Sequence, residues 1–262
     1  MSDTLLLHKE APLAWIVFNK PQRRNAVDLD MWQTLPKLVA EVAEDDTLRV
    51  LLLRGAGEEA FISGADISQF GQVRSGPDTS HKYNRAVDDA LKSLSTLEKP
   101  VISMIHGFCM GGGCSLAVMC DLRLCADDAR FGIPAARLGI AYPLERGVER
   151  LVHIVGVSNA TEILLTAQRY NAEEAAHMGL VNRVLPKAEL ESYTREYATK
   201  LADNAPLSVA THKFSVRESV KAATLRDMDK VKAWSRRCFE SADYKEGVKA
   251  FMEKRRPQFQ GK

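Results

Sequence analysis

The sequence predicts an α/β fold that ends in an all-helical stretch, and three observations carry that expectation. Short apolar runs closed by turn residues alternate with apolar stripes at helical spacing between residues 13 and 184. Two glycine-containing turns, at residues 61–67 and 106–115, each follow a strand-like run and precede a helix-like one. From about Pro186 strand-like runs stop and amphipathic helical segments follow one another.

Leu13–Phe18 and residues 50–53 are apolar runs ended by Asn19-Lys20-Pro21 and by Gly55-Ala56-Gly57, the form of strands covered on both faces. Between them Asp28 can cap a helix whose Leu29, Trp32, Leu35, Leu38, Val39 and Val42 share one stripe, with Pro36 a local weakness. Ala86, Val87, Ala90, Leu91, Leu94 and Leu97 form a second stripe, stopped by Pro100 and followed by the strand Val101–Ile105. Gly111-Gly112-Gly113 opens a helix toward Met119; short runs at 122–125 and 130–132 come next, and one at 181–184 follows a helix stopped by Gly179. Residues 187–203, 207–222 and 224–241 read as helices. Trp234, Phe239, Tyr244, Phe251 and Phe259 are more aromatic surface than a thin helical layer needs, which points to packing on another subunit. Residues 71–80, with their Gly, Pro, Ser and Asp, read as a mobile segment able to cover a site.

Composition sets limits on function. The chain has 262 residues and a net charge of +2, so a dedicated polyanion binder is disfavoured and nucleic acid is not the expected partner. Its start has neither a basic region nor an apolar run of secretory length. Residues 100–120 are free of charge until Cys120, yet His106, two serines and four glycines suit a buried strand, turn and helix rather than a membrane span. Cys109, Cys114, Cys120, Cys125 and Cys238 contain no CxxC pair, so they read as buried free thiols of a reducing, cytoplasmic setting and not as a metal site. His106 and His153 lie in apolar runs and read as packing residues, and Asp66 as a turn cap.

The glycine turns carry the chemistry. Small residues let a ligand approach exposed main-chain N–H groups, and a helix N-terminus adds partial positive charge, so the pair suits an oxygen developing negative charge. The triple glycine is neither a Walker sequence nor GxGxxG, which disfavours nucleotide hydrolysis.

The residues Asn19-Lys20-Pro21 with Asn25-Ala26, Ser63-Gly64-Ala65-Asp66-Ile67, and Lys99-Pro100-Val101-Ile102 running into Gly111-Gly112-Gly113-Cys114-Ser115-Leu116-Ala117 resemble the crotonase (enoyl-CoA hydratase/isomerase) superfamily. Cys120-Asp121-Leu122-Arg123, Ala129-Arg130-Phe131-Gly132, residues 175–182 and Ala250-Phe251-Met252-Glu253-Lys254-Arg255 extend the resemblance over nearly the whole chain. It implies a crotonase-like (ClpP/crotonase) spiral of ββα units: an acyl-CoA-binding catalytic core at 1–195 and a C-terminal helical region at 196–262 that forms trimers or dimers of trimers. It further implies that the N–H groups of Ala65 and Gly112 hold the thioester oxygen and stabilise an enolate. Ser63, Ala65 and Ile67 line the coenzyme A, with Lys20, Arg23 and Arg24 near its phosphates and Phe251 and Lys254 reaching a neighbouring subunit's CoA. No separate cofactor is implied, because CoA is part of the substrate.

Hydratases of the family place one glutamate just after Gly-Gly-Gly-Cys and another just after the Phe-Gly-x-Pro turn; here those positions hold Ser115 and Ala135. A serine hydroxyl is hardly ionised near neutral pH and does not replace a general base unaided. Residues 138–146 resemble instead the loop of methylmalonyl-CoA decarboxylase-like members, in which a tyrosine stands at the position of Tyr142. Those members carry a histidine where Ala65 stands and an acidic residue at the Ser115 position, so the match is partial. Decarboxylation of a malonyl-type thioester needs an enolate held and little proton machinery, so the expected activity is an acyl-CoA lyase of decarboxylase type. Two alternatives stand beside it: a hydratase or isomerase using Glu145, which otherwise reads as the partner of Arg146 in a surface ion pair, and a non-catalytic CoA- or RNA-binding relative, supported by Lys254-Arg255-Arg256.

Overall fold

A computed structural model describes residues 3–69 and 77–262. The strands are β1 (Leu5–Glu10), β2 (Leu13–Phe18), β3 (Val50–Gly55), β4 (Ala60–Ile62), β5 (Val101–Ile105), β6 (Phe108–Met110), β7 (Leu122–Ala126), β8 (Arg130–Gly132), β9 (Tyr170–Asn171) and β10 (Arg183–Leu185). The helices are α1 (Leu29–Glu44), α2 (Pro77–Thr96), α3 (Gly112–Met119), α4 (Val148–Thr166), α5 (Ala172–His177), α6 (Lys187–Ala202), α7 (Pro206–Ser219), α8 (Met228–Glu240) and α9 (Ala242–Met252).

Strands β3 to β8 alternate between two sheets. The first of each pair extends a six-stranded sheet of order β1-β2-β3-β5-β7-β10, and the second a four-stranded sheet of order β4-β6-β8-β9. Neighbours run parallel except β1 with β2 and β8 with β9. A helix follows β2, β4 and β6, so a ββα unit recurs and each turn moves one place along both sheets. This is the ββα spiral that the resemblance implies.

Burial on two faces explains why the large sheet was legible as unbroken apolar runs. Along β2, Ala14, Ile16 and Phe18 face the main core with Trp32, Leu35 and Phe61, whereas Leu13, Trp15 and Val17 join Leu52, Ile102 and Met104 beneath Leu190, Ala198 and Ala202 of α6. Helix α6 thus packs on the outer face of the sheet and runs across the boundary expected at 195/196. Asp28 caps α1 as expected, its Oδ1 accepting the Met31 N–H at 2.9 Å, and Pro36 is accommodated without ending the helix. At the other end of α1 the Lys99 ammonium donates to the carbonyls of Val42 and Asp45 at 2.7 and 2.8 Å.

Several elements differ from expectation. Strands β1, β4 and β6 were not foreseen; β4 and β6 have three residues each and sit inside what reads as turn sequence. The run expected at 181–184 becomes a strand only from Arg183, because Leu180 and Val181 are buried at the end of the turn after α5. The helix expected at 224–241 starts at Met228, where Asp227 accepts the Lys230 N–H at 2.9 Å and fixes its first turn. The segment expected to be mobile at 71–80 lies outside the described residues up to 76 and is helical from Pro77. His153 lies exposed on α4, so of the two histidines read as packing residues only His106 is buried. No helix among the described residues is long and apolar enough to cross a membrane.

The approach of α3 to β4 fixes the geometry of the site. A β-carbon on Gly113 would stand 2.6 Å from the Ile62 carbonyl oxygen and 2.9 Å from the Ile62 β-carbon. Gly113→Ala gains up to about 1 kcal/mol of helix propensity, but a main-chain oxygen cannot swing aside, and overpacking typically costs about 1–3 kcal/mol. The clash should win: urea denaturation is expected to give Gly113→Ala a lower midpoint than the parent chain, and an unchanged or higher midpoint would show that the helix can lift off the strand freely.

Candidate active site

The two glycine turns meet. Val27 bridges to the turn at 61–67 by donating its N–H to the Gly64 carbonyl at 2.8 Å and accepting the Asp66 N–H at 2.9 Å. In a parallel bridge this uses residues 64 and 66, so the Ala65 N–H faces the opposite way. There α3 begins: a β-carbon on Gly112 would lie 3.9 Å from the Ala65 nitrogen and 3.2 Å from Cζ2 of Trp32. Gly64 (φ 118°) and Gly111 (φ 49°) supply the left-handed backbone that lets the turns face each other. The Gly111 N–H is taken by the Gly132 carbonyl at 2.8 Å, while those of Ala65 and Gly112 find no acceptor among the described residues. Two free donors at a helix N-terminus favour an oxygen that carries negative charge. Trp32 closes the floor, its indole N–H donating to the Tyr83 hydroxyl of α2 at 3.2 Å.

Ser115, one turn along α3, is buried with its Oγ 2.7 Å from the Tyr142 hydroxyl. The chain after Tyr142 lies along the same helix, so that a β-carbon on Gly147 would stand 3.8 Å from the Ser115 Cα. Between them is a cavity of about 10 Å³ whose lining includes Cys114, Ser115, Ile133, Tyr142 and Arg146. Burial pushes the Tyr142 hydroxyl well above the usual phenol value, against the opposing pull of its hydrogen bond with Ser115 and of the Arg146 guanidinium. A phenol so placed stays protonated near neutral pH, where it cannot serve as a base. Ala135, in the 3₁₀ turn Pro134–Leu138, brings no ionisable group. Glu145 is the middle residue of the 3₁₀ turn Leu144–Arg146, and its side chain lies outside the described residues. The Arg146 Nε donates to Asp88 of α2 at 3.1 Å, and the Arg146 side chain is 13% exposed.

The positions expected to meet CoA divide. Ser63 is half-buried beside Ala65, with its N–H bonded to the Arg24 carbonyl at 3.0 Å, and Ile67 is exposed. Arg23 is exposed; Arg24 is exposed, pairs with Glu59 at 2.8 Å and lies over the Phe108 ring. Lys20, expected to face phosphates, directs its ammonium instead to Asp28 and Asp66, both at 3.0 Å, with all three side chains about nine-tenths buried. Burial pulls the ammonium down and the two carboxylates more than offset it, so it sits above the usual lysine value. Asp66 also accepts from the Ser68 N–H and hydroxyl, the turn-capping role expected of it. Phe251, 84% exposed, lines a groove of about 610 Å³ with Phe239, Tyr244 and Val248, and Lys254 is exposed just beyond it. Neither stands near Ala65 within this chain. Sequence reasoning placed the helix around Tyr83 at the acyl pocket but did not single out Trp32, Asp88 or Arg146 for the site; of these only Trp32 gave a signal, as an aromatic on a core-facing helix.

Fold and site together have the form of an enzyme core in which two main-chain donors face one space on a ββα spiral. A model of the family described as enoyl-CoA hydratase/isomerase matches residues 8–262, and the chain belongs to that family. It is 34% identical to a short-chain-enoyl-CoA hydratase of Clostridium acetobutylicum over 97% of this chain and 96% of that protein. It is also 34% identical to the peroxisomal Δ(3,5)-Δ(2,4)-dienoyl-CoA isomerase of Arabidopsis thaliana, over 93% and 91%. Among solved structures, an enoyl-CoA hydratase/carnithine racemase from Magnetospirillum magneticum superposes with a TM-score of 0.94 at 32% identity, covering 100% of this chain and 97% of that one.

Because Tyr142 ionises at higher pH in the folded chain than in the unfolded one, it favours folding fully below the phenol value of 10.0 and progressively less above it. The stability difference between the parent chain and Tyr142→Phe, from urea denaturation between about pH 8 and about pH 11, is expected to be level up to about pH 10 and to narrow beyond. A level difference throughout would mean that the hydroxyl is not shielded.

Proposed function

We propose that this chain decarboxylates a malonyl-type acyl-CoA, holding the resulting enolate at Ala65 and Gly112 and returning a proton from Tyr142. The observation that carries the reading is the Ser115–Tyr142 hydroxyl pair, 2.7 Å apart, on the first turn of the helix that begins at Gly112. It supplies a proton donor where hydration would require a base. In the step proposed, the bond between the α-carbon and the acyl carboxylate breaks, and carbon dioxide leaves. The electron pair forms the enolate, whose oxygen takes the negative charge between the two N–H groups. The α-carbon then takes the Tyr142 proton, the thioester carbonyl re-forms, and solvent restores the phenol. No base is needed, and no cofactor beyond the CoA of the substrate. Losing one such oxygen donor typically costs about 10²–10³ in rate.

The relatives named as hydratase and isomerase favour a second reading, in which Glu145 moves protons across an enoyl double bond. In either reading Ser63, Ile67, Arg23 and Arg24 are assigned to the CoA side of the turn, and Lys20 acts by holding Asp66. Phe251 and Lys254 are assigned to a neighbouring subunit's CoA. The apolar groove that Phe251 lines supports the trimer or dimer of trimers this requires, and the buried free thiols support a cytoplasmic setting.

Mass-spectrometric turnover of methylmalonyl-CoA and crotonyl-CoA in parallel tests this. Carbon dioxide loss from methylmalonyl-CoA is expected, slowed by Tyr142→Phe and reduced by about 100-fold or more in Gly112→Val, whose side chain would fill the oxygen's place. Hydration of crotonyl-CoA abolished by Glu145→Gln would replace this reading with the second. Salt-dependent RNA binding with no turnover would point to the non-catalytic class.

A further inference from the structure

Arg146 is in an unusual position for a cation paired with a half-exposed carboxylate. Its side chain is 13% exposed while that of Asp88 is 47% exposed, and it borders the same small cavity as Val118, Ile133 and Leu151. Drawing a guanidinium into an apolar lining carries a desolvation cost that a half-solvated carboxylate recovers poorly. Stability alone gives no reason for it to be there. Its neighbours suggest one, because the cavity it borders is also bordered by Ser115 and Tyr142.

The groups facing Tyr142 are Ser115 and Cys114 from α3, Tyr83 from α2, and Arg146 from its own loop. Among the described residues Arg146 is the cation of that set. A phenol in such a pocket is a weakened acid, because the phenolate it leaves after one transfer is poorly solvated. A fixed positive charge nearby lowers the energy of the phenolate without removing the proton beforehand.

We propose that Arg146, steered by Asp88, is the positioning residue that allows Tyr142 to act as an acid, by stabilising the phenolate left once its proton has passed to the enolate carbon. The inference rests on the decarboxylase reading above. Arg146 touches neither the thioester nor the breaking bond; it acts through Tyr142. Asp88 aims the guanidinium from α2, and Ser115 holds the hydroxyl on its other side.

A double-mutant cycle with methylmalonyl-CoA tests this together with a measurement that needs no turnover. Arg146→Gln is expected to lower kcat by about tenfold or more with little change in KM, Arg146→Lys to recover part of the loss, and Arg146→Gln to cost nothing further in the Tyr142→Phe background. In NMR of protein carrying ¹³C-labelled tyrosine, the Tyr142 resonance, assigned by its loss in Tyr142→Phe, is expected to titrate at higher pH in Arg146→Gln than in the parent chain. Equal losses in both backgrounds, or an unmoved titration, would overturn the role of Arg146 while leaving the decarboxylase reading intact. Full activity of Tyr142→Phe would instead remove Tyr142 as the acid, and the present inference with it.

Discussion

The contact between the first turn of α3 and the main chain of β4 sets where every other part of the site can stand. With no β-carbon at Gly113, the helix approaches the Ile62 carbonyl more closely than any other residue would allow. That approach brings the Gly112 nitrogen opposite Ala65, puts Trp32 beneath both, and carries Ser115 round to meet Tyr142. The facing of these two N–H groups is therefore a property of packing between elements rather than of any side chain's chemistry.

The second turn is held by charge instead of close packing. Lys20 lies between Asp28 and Asp66, and Asn25, fully buried, accepts the Lys20 N–H and donates to the carbonyls of Ala56 and Ala60. Asp28 at the same time caps α1. One three-residue ionic group thus ties the start of α1, the loop before it and the turn carrying Ala65 to one another. A buried charge of this kind contributes little net stability but tolerates few alternative arrangements, which suits a turn whose single N–H must point one way.

Strands β2, β3, β5 and β7 of the large sheet and helices α1 to α3 were legible because their signals are local: apolar runs, an Asp at an N-cap, a stripe on one helix face, a glycine at a turn. In the small sheet β8 was expected at 130–132 but β4 and β6 were not, since they are three residues long and take their partners from other ββα units, so no local periodicity marks them. The same division runs through the site. Ala65 and Gly112 announce themselves by the glycines around them, whereas Ser115 and Tyr142 are 27 positions apart and Arg146 and Asp88 are 58 apart, pairings that only the folded chain makes. Lys20 was placed near phosphates by resemblance alone, and its ion pairs were not legible because the carboxylates that bury it come from positions 28 and 66.

The position of Trp32 has an optical consequence. Its indole is 1% exposed, bonded to Tyr83, and adjacent to the space between Gly112 and Ala65. The other two tryptophans are elsewhere, Trp15 under Arg195 on the outer face of the large sheet and Trp234 against Phe214 in the C-terminal helices. A molecule entering the space above Trp32 would change the polarity around one indole and leave the other two in their surroundings. The chain thus carries an intrinsic fluorophore at its centre, able to report occupancy of the site without any label.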